Sequence, residues 1–352
     1  MLKWVLKIGN FLAMTPTEGN FFPHRAHAYI MIGVYVVFFS VSIFYRISYY
    51  STLRPINLLV QIILDGILII LNVYTVLTTV TKRYQWSKLL VNLKVDQEKK
   101  SHFIIANILF HLIHVYSTVV FTLFLGVNYI IQYGFEYLQL YSQFLFYFLL
   151  YTILKILVVK YTQLKTTLSE ERRPLMPLQV IKSHIFSLRE SIDAFNDIFG
   201  WPFLLLIMFT SFQIMIYLQG IFVGSRKSLA TIISNVNVIS WQSMCTFCNI
   251  VLCDSVIHTA GELPNLVYSL DLERHFEMKH TQEMENLNEF VVAIKDNFPV
   301  FVAARFFEIN RKTIFKMFNA IITFLIVIIQ FETNYSGDEC SSCRFNASTE
   351  TQ

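Results

Sequence analysis

Residues Leu58–Val80 read LLVQIILDGILIILNVYTVLTTV, with Asp65 the one charged side chain in the run. A helix needs about 20 mostly apolar residues to cross a bilayer, so the run is long enough to span. Composition extends that reading to the whole chain. Of 352 residues, 55% are hydrophobic and 15% are charged, whereas soluble domains carry roughly 25% charged residues. Mean hydropathy is +0.51. Surplus apolar surface of this extent has to face lipid, which makes the chain a polytopic membrane protein. A disordered chain, a nucleic-acid-binding domain and a cytosolic enzyme are excluded. Only 11 Gly and 8 Pro punctuate the chain, which favours long helices, and no alternating strand pattern suggests a β-barrel.

Six further runs have the length and apolarity to span: Tyr29–Tyr49, Phe103–Ile131, Leu138–Val159, Trp201–Val223, Ala230–Ile257 and Lys312–Phe331. The expected fold is therefore all-α, with seven transmembrane helices. Phe103–Ile131 and Ala230–Ile257 exceed the need of a bilayer and are expected to tilt or run on into water. No internal repeat supports an inverted-repeat transporter. Residues 1–28 make a poor signal peptide, because Lys7 and then Gly9-Asn10 interrupt the apolar run; a short amphipathic helix at the cytoplasmic side is expected. Residues 160–200 and 259–311 carry helical periodicity, as in Ile185, Leu188, Ile192, Phe195 and Ile198. They are expected to form cytosolic extensions that pack as an anchor block.

Lys and Arg collect on the cytoplasmic side of membrane proteins. Here they collect before the first span and in the second, fourth and sixth connections, as at Lys82–Lys100, Lys160–Arg189 and Arg274–Lys316. The third connection has neither, and the first has only Arg54, close to Arg46. The N-terminus is thus expected inside and the C-terminus outside. Two glycosylation sequons, at Asn334 and Asn346, lie in the tail 332–352 and fit an extracellular location. Cys340 and Cys343 share that tail, where they can pair with each other or with a neighbouring chain. G-protein-coupled receptors have seven spans of the opposite orientation, and their Asp-Arg-Tyr and Asn-Pro-x-x-Tyr signatures are missing here.

The last span carries a polar stripe. Asn319, Thr323, Ile326 and Gln330 follow helical spacing along one face, while the other faces are apolar. Such a stripe faces water or protein, not lipid: it lines a pore, or it holds helices together inside a bundle. No charge interrupts residues 317–331, and Glu332 follows at the outer mouth. A ring of Glu332 would gather cations, and a ring of Phe331 would gate by dewetting.

Thr323-Phe324-Leu325-Ile326-Val327-Ile328-Ile329-Gln330-Phe331 resembles the insect gustatory receptor signature of Thr-Tyr, five hydrophobic residues and Gln-Phe, with Phe324 in place of Tyr. Ala303–Asn310 is similar to the family's segment leading into that helix. The architecture covers most of the chain; the motif covers only its last part. The resemblance implies a multi-pass plasma-membrane protein, a homotetramer or a heteromer with related receptors. It implies a ligand-gated cation channel with Gln330 and Phe331 at the constriction of a central pore. A small-molecule tastant would enter from outside among the second to sixth helices; a bitter compound is the first expectation, a sugar or polyol the second.

Pockets combine apolar walls with a few placed polar groups. The outer halves of the helices offer Gln61, Asp65, Asn128, Tyr129, Tyr141, Gln143, Gln213, Tyr217, Asn235, Asn237, Trp241 and Gln242 as ligand contacts. Each also suits an interfacial aromatic belt or an interhelical hydrogen bond. Asp65 is costly at membrane depth. It meets a cationic ligand, pairs with an Arg from the outer loops, or sits at a hydrated vestibule. His111 and His114 lack companions for a metal, and Cys245, Cys248 and Cys253 read as small buried residues. Phosphate loops, nucleophile elbows and metal motifs are missing, so neither an enzyme, a cofactor, a metal nor a nucleic-acid partner is expected. A poreless G-protein-coupled receptor and a secondary transporter working through Asp65 are the competing readings.

Overall fold

The computed structural model describes residues 2–16, 25–93, 101–170, 178–223, 228–275, 281–327 and 330. Ten helices precede a two-stranded hairpin: α1 Leu2–Phe11, α2 Arg25–Tyr50, α3 Pro55–Thr81, α4 Arg83–Leu93, α5 Ser101–Leu125, α6 Asn128–Tyr133, α7 Tyr137–Glu170, α8 Leu178–Val223, α9 Leu229–His275 and α10 Thr281–Asp296. The hairpin pairs β1, Val302–Ala303, with β2, Phe307–Glu308. A further helix, α11, covers residues 311–327, and Gln330 is also helical. Among the described residues, α2, α3, α5, α7, α8 and α9 are each long and apolar enough to cross a membrane.

The centre of the bundle is α7. Its residues are apolar on every side, the mark of a helix buried all round. Leu150, Ile153, Leu154 and Leu157 are fully buried. The element packs against α9, α3, α1 and α4. Hydrogen bonds fix its rotation against α2: Tyr35 Oη lies 2.6 Å from Ser142 Oγ, and Gln139 Nε2 donates to the Tyr35 carbonyl at 3.3 Å. α5 is the opposite case. It exposes Ile104, Ile105, Ile108, Leu112, Val115 and Val119, an apolar face suited to lipid.

Most predicted spans coincide with helices, and one boundary changes. The expected span Phe103–Ile131 ends at Leu125, because Gly126 turns the chain at φ +79. That left-handed conformation costs glycine little, and α6 then starts a separate short helix. The spans beginning at Trp201 and Ala230 are parts of single helices of 46 and 47 residues, α8 and α9. Pro202 and Pro264 lie inside these helices, where each removes one donor from the helical ladder.

The end of the bundle that carries the basic connections is built from α1, α4, α10 and the extensions of α7, α8 and α9. Trp86 of α4 is buried edge-on against Phe199 of α8 at 5.3 Å between centroids. Asn92 Nδ2 donates to the Ser187 carbonyl at 3.3 Å, and Lys165 pairs with Glu262 at 2.6 Å across α7 and α9. The first helix is amphipathic as expected, burying Leu2, Val5 and Leu6.

Candidate functional site

Four helices enclose a cavity between aromatic walls. It is lined by Phe110, Ile113 and His114 of α5, Leu140, Gln143, Phe144 and Tyr147 of α7, Gln213 of α8, and Val238, Trp241 and Gln242 of α9. The cavity lies toward the ends of α7 and α9 that adjoin the connections 126–136 and 224–228. Phe110 and Phe144 stack at 4.7 Å, and Trp241 lies 6.0 Å from Phe144. These rings supply large apolar area in a fixed orientation. The volume is about 10 Å³, room for roughly one water.

The polar side of the cavity is partly closed and partly open. Tyr147 Oη lies 2.9 Å from Thr210 Oγ1 and 3.0 Å from Thr246 Oγ1, and these two threonines are 2.7 Å apart. Gln242 Nε2 donates to Tyr147 Oη at 3.1 Å. This knot ties α7, α8 and α9 together. By contrast, Gln143 Nε2 and Gln213 Oε1 are buried and find no hydrogen-bond partner among the described residues. A buried amide without a partner costs roughly 1–3 kcal/mol, and both residues line this cavity, which leaves one donor and one acceptor unmade beside it.

The sequence candidates divide. Gln143, Gln213, Trp241 and Gln242 converge on this cavity. Tyr217 lies one helical turn from Gln213 on α8. Tyr141 donates to Asn107 Oδ1 at 3.2 Å and stacks on His111, beside the lining. Asn128 opens α6 and is exposed, Asn237 is exposed, and Asn235 is buried. The lining also includes residues outside the sequence list: Tyr147 and His114, and the rings Phe110 and Phe144. Tyr147 sits between Phe146 and Phe148 and reads in sequence as one more core aromatic.

Gln61 and Asp65 belong to a second cluster. Arg46 of α2, only 1% exposed, places NH1 3.1 Å from Asp65 Oδ1 and 3.3 Å from Glu136 Oε2. Tyr50 donates to Asp65 Oδ2, and Gln61 Nε2 donates to Asp65 Oδ1 at 3.2 Å. The guanidinium also lies 5.0 Å from the Tyr133 ring centroid, within cation–π reach. Of the alternatives for Asp65, the structure shows pairing with an arginine, but that arginine comes from inside the first span and not from a loop.

On α11 the buried positions are Thr313, Met317 and Ile321. Ile321 packs in a cluster with Ile214 and Met215 of α8, and Phe318 meets Phe247 of α9 at 5.4 Å. Asn319, Thr323, Ile326 and Gln330 are exposed, so the polar stripe points away from the body of its own chain. Phe331, Glu332, Asn334, Asn346, Cys340 and Cys343 lie outside the described residues.

Comparison with known proteins bears on the fold and the family. The 7tm Chemosensory receptor family profile matches residues 2–335. The fold is similar to that of the insect olfactory receptor OR5 from Machilis hrabei in complex with eugenol, with TM-score 0.70 and 12% identity over 93% of this chain and 98% of that one. A second structure of OR5 from Machilis hrabei gives TM-score 0.58 and 12% identity over 94% of this chain and 96% of that one. No curated protein matches the sequence. The match covers nearly every described element, and the family is one of receptors, not of enzymes. With its helices apolar toward lipid and its polar groups gathered inside, the chain belongs to the 7tm chemosensory receptor family.

Proposed function

We propose that the chain is a gustatory-type receptor of insects, a tetrameric ligand-gated cation channel in the plasma membrane. Four copies, or this chain with related ones, surround a central pore lined by α11. A small-molecule tastant opens it, a bitter compound before a sugar or polyol. The N-terminus is inside, the tail is outside and glycosylated at Asn334 and Asn346, and the helical block at the basic end is the cytosolic anchor.

The observation that carries this reading is the cavity of α5, α7, α8 and α9, with the unpartnered Gln143 donor and Gln213 acceptor between aromatic walls. A flat neutral molecule with one donor and one acceptor satisfies both amides while its faces meet Phe110 and Trp241. No Asp, Glu, Lys or Arg lines the cavity, which disfavours a charged ligand. The fold relative OR5 was solved with eugenol. A ligand larger than a water enters only when the walls part, so tighter binding to the parted state is what shifts the channel toward it.

The exposed stripe of α11 supports the pore. In a ring of four it presents Asn319, Thr323 and Gln330 to the axis, with Ile326 between. Without a charged ring inside the membrane, the pore is expected to pass cations with weak selectivity, gathered by Glu332 at the mouth. The test is whole-cell recording from cells that express this chain alone, bathed in eugenol and in a panel of bitter compounds and sugars. The expected result is an evoked current whose reversal follows the cation gradient. Anion-following reversal overturns the selectivity, and absence of any current from surface-expressed protein, both alone and co-expressed with related receptors, overturns the channel.

A further inference from the structure

The last helix is launched from a hairpin locked onto α8. Ala304 N–H donates to the Gly200 carbonyl at 3.0 Å. Asn196 grips the same strand twice, donating from Nδ2 to the Val300 carbonyl at 2.7 Å and accepting from Val302 N–H at 3.0 Å. Arg189 NH1 donates to the Phe298 carbonyl. Beneath, Phe301 is fully buried edge-on against Phe195 at 5.3 Å. The contact is tight for any side chain: a Cβ at position 200 would lie 3.1 Å from the Val302 carbonyl oxygen and 3.2 Å from Ala304 N, so the hairpin backbone would have to give by a few tenths of an ångström.

Beyond the hairpin, the chain passes directly into α11. Asn310 Oδ1 accepts from Lys312 N–H at 3.0 Å and Thr313 Oγ1 donates to the Glu308 carbonyl at 3.2 Å, so hairpin and helix start are one unit. Arg311 joins that start to α9, its Nε 2.7 Å from Asp254 Oδ2. Both partner helices also reach the cavity. Gln213 lies about 20 Å along α8 from Gly200, and Gln242 about 18 Å along α9 from Asp254, at 1.5 Å per residue.

Two features make the α8 arm a movable one. Pro202 lies two residues past Gly200 inside α8, so the helix is weakest where the hairpin is attached. The hairpin turn holds Ala304 at φ 50 and Arg305 at φ 63. Such turns are normally made by Asn and Gly, and backbone strain kept in this way clusters at switch regions.

We propose that the hairpin is the coupling arm through which movement of α8 at the cavity reaches the pore helix, with Gly200 and Asn196 as its positioning residues. This rests on the channel reading above. The test joins hydrogen exchange on the full chain in lipid nanodiscs with single-channel recording of the same preparation in bilayers without ligand. Gly200→Ala is expected to speed exchange at the Val302 and Ala304 amides by about tenfold and to shift unliganded open probability by about threefold or more. Arg305→Gly relieves the turn and gives up only a contact to Asp197 at 4.0 Å. It is expected to slow those amides and to shift open probability in the opposite direction. Altered exchange with wild-type open probability in both variants overturns the coupling role. Unaltered exchange in Gly200→Ala overturns the clamp. A wild-type chain that passes no current, alone or together with related receptors, overturns the channel reading and with it the coupling, even where the exchange pattern is as expected, so the two failures are told apart.

Discussion

Two buried polar clusters lie in the same bundle, one held by paired charges and the other by neutral hydrogen bonds alone. Around Arg46, two carboxylates, a guanidinium, a tyrosine hydroxyl and an amide face one another, and the charges are paired, although Arg46 Nε and Glu136 Oε2 make no hydrogen bond among the described residues. Around Tyr147, the hydroxyls close on one another, but Gln143 and Gln213 are left with a donor and an acceptor unmade. A paired cluster holds helices in register. An incomplete one is stabilised by whatever completes it. On the reading proposed above, the same chemistry of buried polarity builds scaffold in one place and a recognition surface in the other.

The largest effect is expected from breaking the paired cluster. Arg46→Met strands Asp65 and Glu136 in the bundle, and removing one partner of a buried ion pair costs about 3–5 kcal/mol. Thermal unfolding of the detergent-purified protein should show it. The triple change Arg46→Met, Asp65→Leu, Glu136→Gln, which also removes the stranded charges, should recover much of the loss. Tyr147→Phe should cost less, about 1–2 kcal/mol, because Thr210 and Thr246 keep each other while Gln242 loses its acceptor. The same melt compares them. Gln143→Leu sharpens the contrast: it deletes an unsatisfied group, so the fold should hold or gain about 1 kcal/mol, while any ligand-evoked current falls by about tenfold or more, the loss expected for one buried hydrogen bond. Gln61→Ala should have the smallest effect, about 0.5–1 kcal/mol, since it removes one 3.2 Å bond to an Asp65 already held by Arg46 and Tyr50.

The elements were largely legible in the sequence. Leu58–Val80 became α3, Pro55–Thr81, because a run apolar on every face has few alternatives to a spanning helix. The stop at Gly126 was not legible: the apolar pattern continues through Ile130 and Ile131, and only the backbone reveals the turn. Part of the cavity was readable as Gln143, Gln213, Gln242 and Trp241 among apolar residues. Tyr147 was not, since sequence cannot tell a core tyrosine tied to Thr210 and Thr246 from one beside lipid. Nor could it show that Arg46 and Asp65, on antiparallel helices joined by a short connection, turn toward each other. The hairpin escaped for a similar reason: its turn residues are Ala304 and Arg305, where local preference calls for Asn and Gly.

The claim that the incomplete cluster is the ligand site is tested most directly by recording eugenol- and tastant-evoked currents from the wild type and from Gln143→Leu/Gln213→Leu at matched surface expression. The account predicts a cation current in the wild type that the double variant loses, with its unfolding temperature kept. Wild-type currents from the double variant would contradict it.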